Sequence, residues 1–179
     1  LIINFILLSV NLINQHHDIS LVMISQIIII ISFLFFNFPK AKIFLGDAGS
    51  YLIGSLIVIN IIKTNQLNPE VSPFFYTSVL FYLFYEVFFS FIRKTTNKKS
   101  PLKPDSFHLH MLLYYFLLRS QKSITANYMT SSIINLVYLV LIIPAFYFQK
   151  NGIFSKYYFL LLIFFYTLSY YFLSKSKKT

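Results

Sequence analysis

Ile19-Ser-Leu-Val-Met-Ile-Ser-Gln-Ile-Ile-Ile-Ile-Ile-Ser-Phe-Leu-Phe-Phe-Asn-Phe38 contains no charged residue, and its reading decides the fold. Twenty residues wound as an α-helix rise about 30 Å, the thickness of a bilayer's hydrocarbon core. Four further runs have comparable length: Phe44 to Ile62, Phe74 to Ile92, Met129 to Phe148 and Tyr157 to Leu173. Leu1 to Ile13 reads as the tail of a sixth. The runs are solidly apolar rather than alternating, and a strand without neighbours cannot satisfy its backbone in lipid, so strands are excluded. The expected fold is all-α, a multi-pass transmembrane helix bundle of about five full spans plus one partial.

Composition agrees. Hydrophobic residues make up 57% of the 179 and charged residues 11%, a balance that suits lipid rather than water. Cysteine is absent, which removes disulfides, thiolate metal sites and cysteine nucleophiles. The net charge of +10 does not mark a nucleic-acid binder, because the basic residues lie scattered between apolar blocks. Twelve of the fifteen fall in alternate loops: Lys40 and Lys42, then the stretch holding Arg93, Lys94, Lys98, Lys99, Lys103, Arg119 and Lys122, then Lys175, Lys177 and Lys178. Positive charge stays on the cytoplasmic side, so these loops are expected there, in an inner (plasma) membrane, with Asn14 to Asp18 outside. Residues 93–127 form the one long polar loop, with a short interfacial helix expected over Phe107 to Leu118. Leu1 opens inside an apolar run without a basic leader, so the chain is expected to be the C-terminal part of a single transmembrane domain.

Five acids in the whole chain make each one conspicuous. Asp47 lies in Lys42-Ile-Phe-Leu-Gly-Asp-Ala-Gly-Ser50, where Gly46 and Gly49 permit close backbone approach. It reads equally as a helix cap and as a ligand that holds Mg²⁺ together with phosphate oxygens. His108 and His110 follow two prolines; in extended chain they point to one side, and beside Lys98, Lys99 and Lys103 they suit phosphate. As a bare pattern, solvated loop histidines are the plainer reading. Glu86 is expected to face inward and pair with a basic residue reaching the same membrane end.

Taken together, Phe36-Asn-Phe-Pro-Lys-Ala-Lys-Ile-Phe-Leu-Gly-Asp-Ala-Gly-Ser50 and Lys99-Ser-Pro-Leu-Lys-Pro-Asp-Ser-Phe-His-Leu-His110 resemble the signatures of the polyprenyl-phosphate N-acetylhexosamine-1-phosphate transferases, glycosyltransferase family 4. The second stretch favours the undecaprenyl-phosphate GlcNAc-1-phosphate branch over the peptidoglycan branch. The resemblance implies a Mg²⁺-dependent phosphoglycosyl transferase, with Mn²⁺ able to replace the magnesium. Such an enzyme moves HexNAc-1-phosphate from a UDP-sugar to polyprenyl phosphate and releases UMP in cell-envelope glycan synthesis. It further implies Asp47 as catalytic residue and metal ligand, and His108 and His110 as catalytic residues. Asn37, Phe44, Gly46, Ser50 and Lys103 would bind substrate. The implied partners are UDP-HexNAc, polyprenyl phosphate and the bilayer, with a homodimer allowed and no nucleic acid.

The sequence departs from the family at Met111, where fuller members carry a third histidine, at Ser106, often Arg, and at Glu86, commonly Asp. The paired upstream aspartates of the family have no counterpart in this chain, so the 179 residues are expected to be inactive alone. The rival classes are a transporter or flippase using Glu86 and the histidines as an ion path, and a non-catalytic membrane subunit. A transporter would place its ionisable groups near the bilayer midplane.

Overall fold

The computed structural model describes residues 1–39, 42–101 and 103–178. Lys40, counted above among the basic residues, lies outside them, as do Ala41, Leu102 and Thr179 and the side chains of Lys177 and Lys178. The described residues form seven helices: α1 (Ile2–Ile13), α2 (His17–Asn37), α3 (Gly46–Leu67), α4 (Pro73–Thr96), α5 (Leu109–Leu117), α6 (Ser123–Tyr147) and α7 (Gly152–Lys178). No strand occurs among the described residues.

Four helices are long and apolar enough to cross a membrane: α2, α4, α6 and the 152–176 part of α7. The Phe44 to Ile62 run, expected as a fifth such span, folds as the 22-residue α3, which takes in Asn60, Lys63, Thr64, Asn65 and Gln66 and is too polar to qualify by composition. Asn60 and Thr64 are accommodated inside the bundle, whereas Lys63, Asn65 and Gln66 are exposed. Asn60 donates to Gln26 Oε1 of α2 at 2.6 Å, and Asn11 of α1 donates to Thr64 Oγ1 at 2.8 Å. Asn68, just past α3, donates to Asn11 Oδ1 at 3.2 Å. Asn11, Asn60, Thr64 and Asn68 are all buried. Hydrogen bonds between helices hold a membrane bundle where apolar contacts alone give little preference over lipid. Asn11→Leu is therefore expected to cost about 1–2 kcal/mol, because Thr64 and Asn68 both lose a partner. Thermal unfolding in detergent measures it; an unchanged midpoint would remove Asn11 from the interface's energetics.

The helices run alternately between two ends. At one, Asn14 Nδ2 donates to Asn68 Oδ1 at 2.5 Å and the Ser72 amide donates to the Gln149 carbonyl at 2.9 Å, gathering loops 14–16, 68–72 and 148–151. Ser72 also starts α4: its hydroxyl accepts from the Phe74 amide, and Pro73 occupies the first turn, where its missing N–H costs nothing. At the other end, Arg119 donates to the Ser176 carbonyl, bringing the α5–α6 turn to the end of α7.

The loop expected over 93–127 is shorter than the sequence suggested, since α4 continues through Thr96 and α6 begins at Ser123. Within it α5 packs onto α6 and α7, with Leu112 fully buried. Much of the aromatic surplus sits where α4 meets α7. Phe89 lies 5.5 Å from Tyr166 and 4.7 Å from Tyr170, and Tyr85 lies 5.0 Å from Tyr166, all edge to face. That is the geometry aromatic quadrupoles favour. Ile, Leu, Val and Phe side chains on the outer surfaces of α2, α6 and α7 remain exposed, the pattern of helices facing lipid.

Candidate active site

The second motif is built around one carboxylate. Glu86, two turns before Arg93 on α4, is 9% exposed and accepts three hydrogen bonds. His108 Nδ1 and the Leu109 amide both reach Oε1 at 3.0 Å, and the Tyr166 hydroxyl of α7 donates to Oε2 at 2.6 Å. A carboxylate oxygen only accepts, so Nδ1 carries the hydrogen. His108 is the N-cap residue of α5 and offers no side-chain cap, so Glu86 satisfies an amide of that helix's first turn from outside. The expectation that Glu86 pairs with a snorkelling basic residue gives way to this arrangement.

Arg93, itself largely buried, takes a different carboxylate. Its guanidinium meets Asp105 Oδ2 at 2.8 Å and lies over the Phe107 ring at 5.7 Å. Asp105 Oδ1 is 3.6 Å from His108 Nε2 and accepts from the Phe107 amide at 3.3 Å. Burial pushes the Asp105 carboxyl up, but the Arg93 hydrogen bond, the Phe107 amide and the charges of Arg93 and Lys94 together hold it below the usual carboxylate range. Lys94, 6% exposed, donates to the carbonyls of Pro101 at 3.2 Å and Lys103 at 2.7 Å, which ties the loop back onto α4. His108 is thus enclosed by the protein, with a carboxylate facing each ring nitrogen.

His110 is presented differently. Its ring stacks on His108 at 5.6 Å and 18°, so the two imidazoles do share a side, and it makes no side-chain hydrogen bond among the described residues. Partial burial lowers its pKa, Glu86 opposes this by less, and His108 adds a smaller lowering, which together favour the neutral ring. His110 lines a groove of about 610 Å³ together with Pro39, Tyr114, Ser123 and Asn127. Pro39 belongs to the first motif, so the two motif stretches meet there.

The other sequence-predicted residues lie around that end. Asn37 closes α2, half-buried, with its Oδ1 buried and unpartnered among the described residues. Phe44 is 91% exposed. Gly46 enters α3 at φ +70°, a conformation that L side chains rarely adopt. Gly46→Ala is expected to cost about 1–2 kcal/mol, measured by unfolding in detergent. Nothing lies near the added methyl, so a neutral result would show that the turn relaxes.

Asp47 stands exposed in the first turn of α3, whose N-cap is Leu45, and makes no ion pair or side-chain hydrogen bond among the described residues. Ser50 donates to the Gly46 carbonyl at 2.9 Å, and the Lys103 side chain is exposed. Asp47, Phe44 and Asn37 do not line the His110 groove. No group of three or more His, Asp or Glu among the described residues is arranged to hold a metal ion. A free carboxylate at the mouth of a helix still fits Mg²⁺ of the kind bound by one or two carboxylates plus substrate phosphates, and Asp47 would hold it.

Comparison with known proteins bears on this site. Residues 1–65 match the model of glycosyl transferase family 4. An undecaprenyl-phosphate alpha-N-acetylglucosaminyl 1-phosphate transferase of Thermotoga maritima is 40% identical over 81 residues, 45% of this chain and 26% of the relative. Over this part the chain is similar to glycosyl transferase family 4. A Bacillus subtilis family member, named "Probable undecaprenyl-phosphate N-acetylglucosaminyl 1-phosphate transferase", is 33% identical over 128 residues, 69% of this chain and 34% of the relative. A phospho-N-acetylmuramoyl-pentapeptide-transferase of Rubrobacter xylanophilus is 30% identical over 90 residues, covering 49% and 27%. The chain thus spans about a quarter to a third of the length of these family 4 proteins. No solved structure matches.

Sequence reading passed over four residues of this cluster: Arg93 and Lys94, counted only as loop charges, Asp105, quoted only within its motif, and Tyr166. Asp105 had a signal in its spacing of three to His108. Tyr166, 80 residues from Glu86, had none.

Proposed function

We infer that the protein transfers an N-acetylhexosamine 1-phosphate from a UDP-sugar to polyprenyl phosphate at the cytoplasmic face of the membrane. An oxygen of the lipid phosphate forms a bond to the sugar-bearing phosphorus of the donor, and the bond from that phosphorus to the bridging oxygen breaks, releasing UMP. The observation that carries this reading is the meeting of the two motifs at one end of the bundle, where Pro39 and His110 share a groove. The relatives' names support the substrate class.

Phosphoryl transfer asks the protein mainly to position groups and neutralise charge. His110 can donate a hydrogen bond to phosphate from its one N–H. The Glu86 and Asp105 contacts keep His108, and the ring stacked on it, from swinging away. Lys98, Lys99 and Lys103, exposed on the same loop, attract the diphosphate. Bound Mg²⁺ would supply charge neutralisation on the transferring phosphate, with Asp47 as its protein ligand. Asp105 and His108 lie in the segment between α4 and α5, and Asp47 in the first turn of α3, which favours surface chemistry over an ion path through the midplane; Glu86, ten residues before the end of α4, reaches His108 from within the helix.

The test is UMP release from UDP-N-acetylglucosamine and undecaprenyl phosphate by the complete gene product in nanodiscs. Transfer that requires both substrates and Mg²⁺ is expected. The 179 residues alone are expected to be inactive, since among the described residues Asp47 is the one unpaired side-chain carboxylate at this end. Activity of the complete product without the lipid phosphate would overturn the reading.

A further inference from the structure

Among the described residues, the groove beside His110 is lined by no acid, lysine or arginine. Ser123 and Asn127 lie four residues apart on α6, hence on one face, and together with Thr130 they give that face a polar stripe opposite His110. The side chains of Ser123, Asn127 and His110 make no hydrogen bond among the described residues, so their donors and acceptors are available to a ligand; Thr130 donates to the Ala126 carbonyl. The Tyr114 ring forms part of the wall. A phosphate or carboxylate would seek cations, which the described lining lacks, and a polyprenyl tail would seek a dry apolar slot. Such a slot exists elsewhere, between α4, α6 and α7, walled by Phe81, Val137, Leu141 and Phe165. Amide, hydroxyl and aromatic groups around a neutral space of this size suit a pyranose with its hydroxyl and acetamido groups.

Resting on the function inferred above, we propose that the α6 face of this groove, through Ser123 and Asn127, binds the neutral hexosamine ring of the donor. His110 then stands at the boundary between sugar and diphosphate. The cations of the 97–104 loop and the Asp47 carboxylate serve the charged part of the donor. Sugar choice therefore falls to α6, outside both motifs.

Equilibrium binding of UDP-N-acetylglucosamine and of UDP to the complete protein in detergent tests this, for wild type, Asn127→Ala, Ser123→Ala and the bulkier Asn127→Leu. Each alanine variant should weaken the UDP-sugar about tenfold, the effect of one lost neutral hydrogen bond, and leave UDP unchanged. Asn127→Leu should weaken it at least as much. Unchanged binding of both ligands, or an equal loss for both, would overturn the assignment. Retained UDP binding serves as the folding control within each variant, because a misfolded protein loses both ligands. Turnover measured alongside separates the two readings. Sugar-dependent binding without transfer would refute the transferase and uphold the groove. Transfer by variants with intact sugar affinity would refute the groove alone.

Discussion

Asp47→Asn is expected to lower UMP release about a thousandfold or more while leaving the protein folded. Asparagine matches aspartate in size but lacks the charge that holds a hard cation. Losing neutralisation of the transferring phosphate costs several kcal/mol of barrier, and each 1.4 kcal/mol is tenfold in rate. The structural cost is small by comparison. Leu45, not Asp47, is the N-cap of α3, and the Asp47 carboxylate makes no capping bond, so its contribution to the helix is the charge–dipole attraction of an exposed first-turn acid, about 0.3–1 kcal/mol. Mg²⁺-dependent turnover of parent and variant in nanodiscs, matched for unfolding temperature, separates the two effects. Near-normal turnover by the variant would remove Asp47 from the metal site.

Glu86→Leu should be the most destabilising single change at this end of the bundle, by about 3 kcal/mol or more. It leaves the His108 Nδ1–H, the Leu109 amide and the Tyr166 hydroxyl facing an apolar side chain, and an unsatisfied buried donor costs roughly 1–3 kcal/mol each, less what water recovers. Glu86→Gln keeps one acceptor oxygen and should lose less. Because Glu86 ties α5 to both α4 and α7, hydrogen exchange at Leu109 should accelerate before the spans unfold. Turnover should fall in step, as His110 rides on α5. A Leu variant with unchanged stability and Leu109 protection would show that α5 is held by the packing of Leu112 alone.

The helices were legible because lipid leaves the backbone one local way to satisfy itself. An uninterrupted run such as Ile19 to Phe38 can only be helix, and its length counts the membrane. The loop ends were legible because most of the charge gathers near them. The α3 boundary was not. Its run of apolar residues stops near Ile62, yet the helix continues to Leu67, because Asn60 and Thr64 find Gln26 and Asn11 on neighbouring helices. A polar residue inside a span is costly until a partner across the interface is supplied, and no linear pattern names that partner.

The same distinction runs through the candidate site. From the sequence alone came the all-α membrane bundle, the motif stretches around Asp47 and His108, and the family resemblance, since all of these depend on residues adjacent or regularly spaced along the chain. Tertiary structure decided that Glu86 takes His108 and Tyr166 while Arg93 takes Asp105, and that His108 is enclosed while His110 opens onto a groove walled by α6. Which donor reaches a buried carboxylate depends on where the chain returns after a loop, and here the start of α5 comes back to Glu86 while α7 arrives from 80 residues away. Sequence spacing carries no distance between such groups; only the packed helices do.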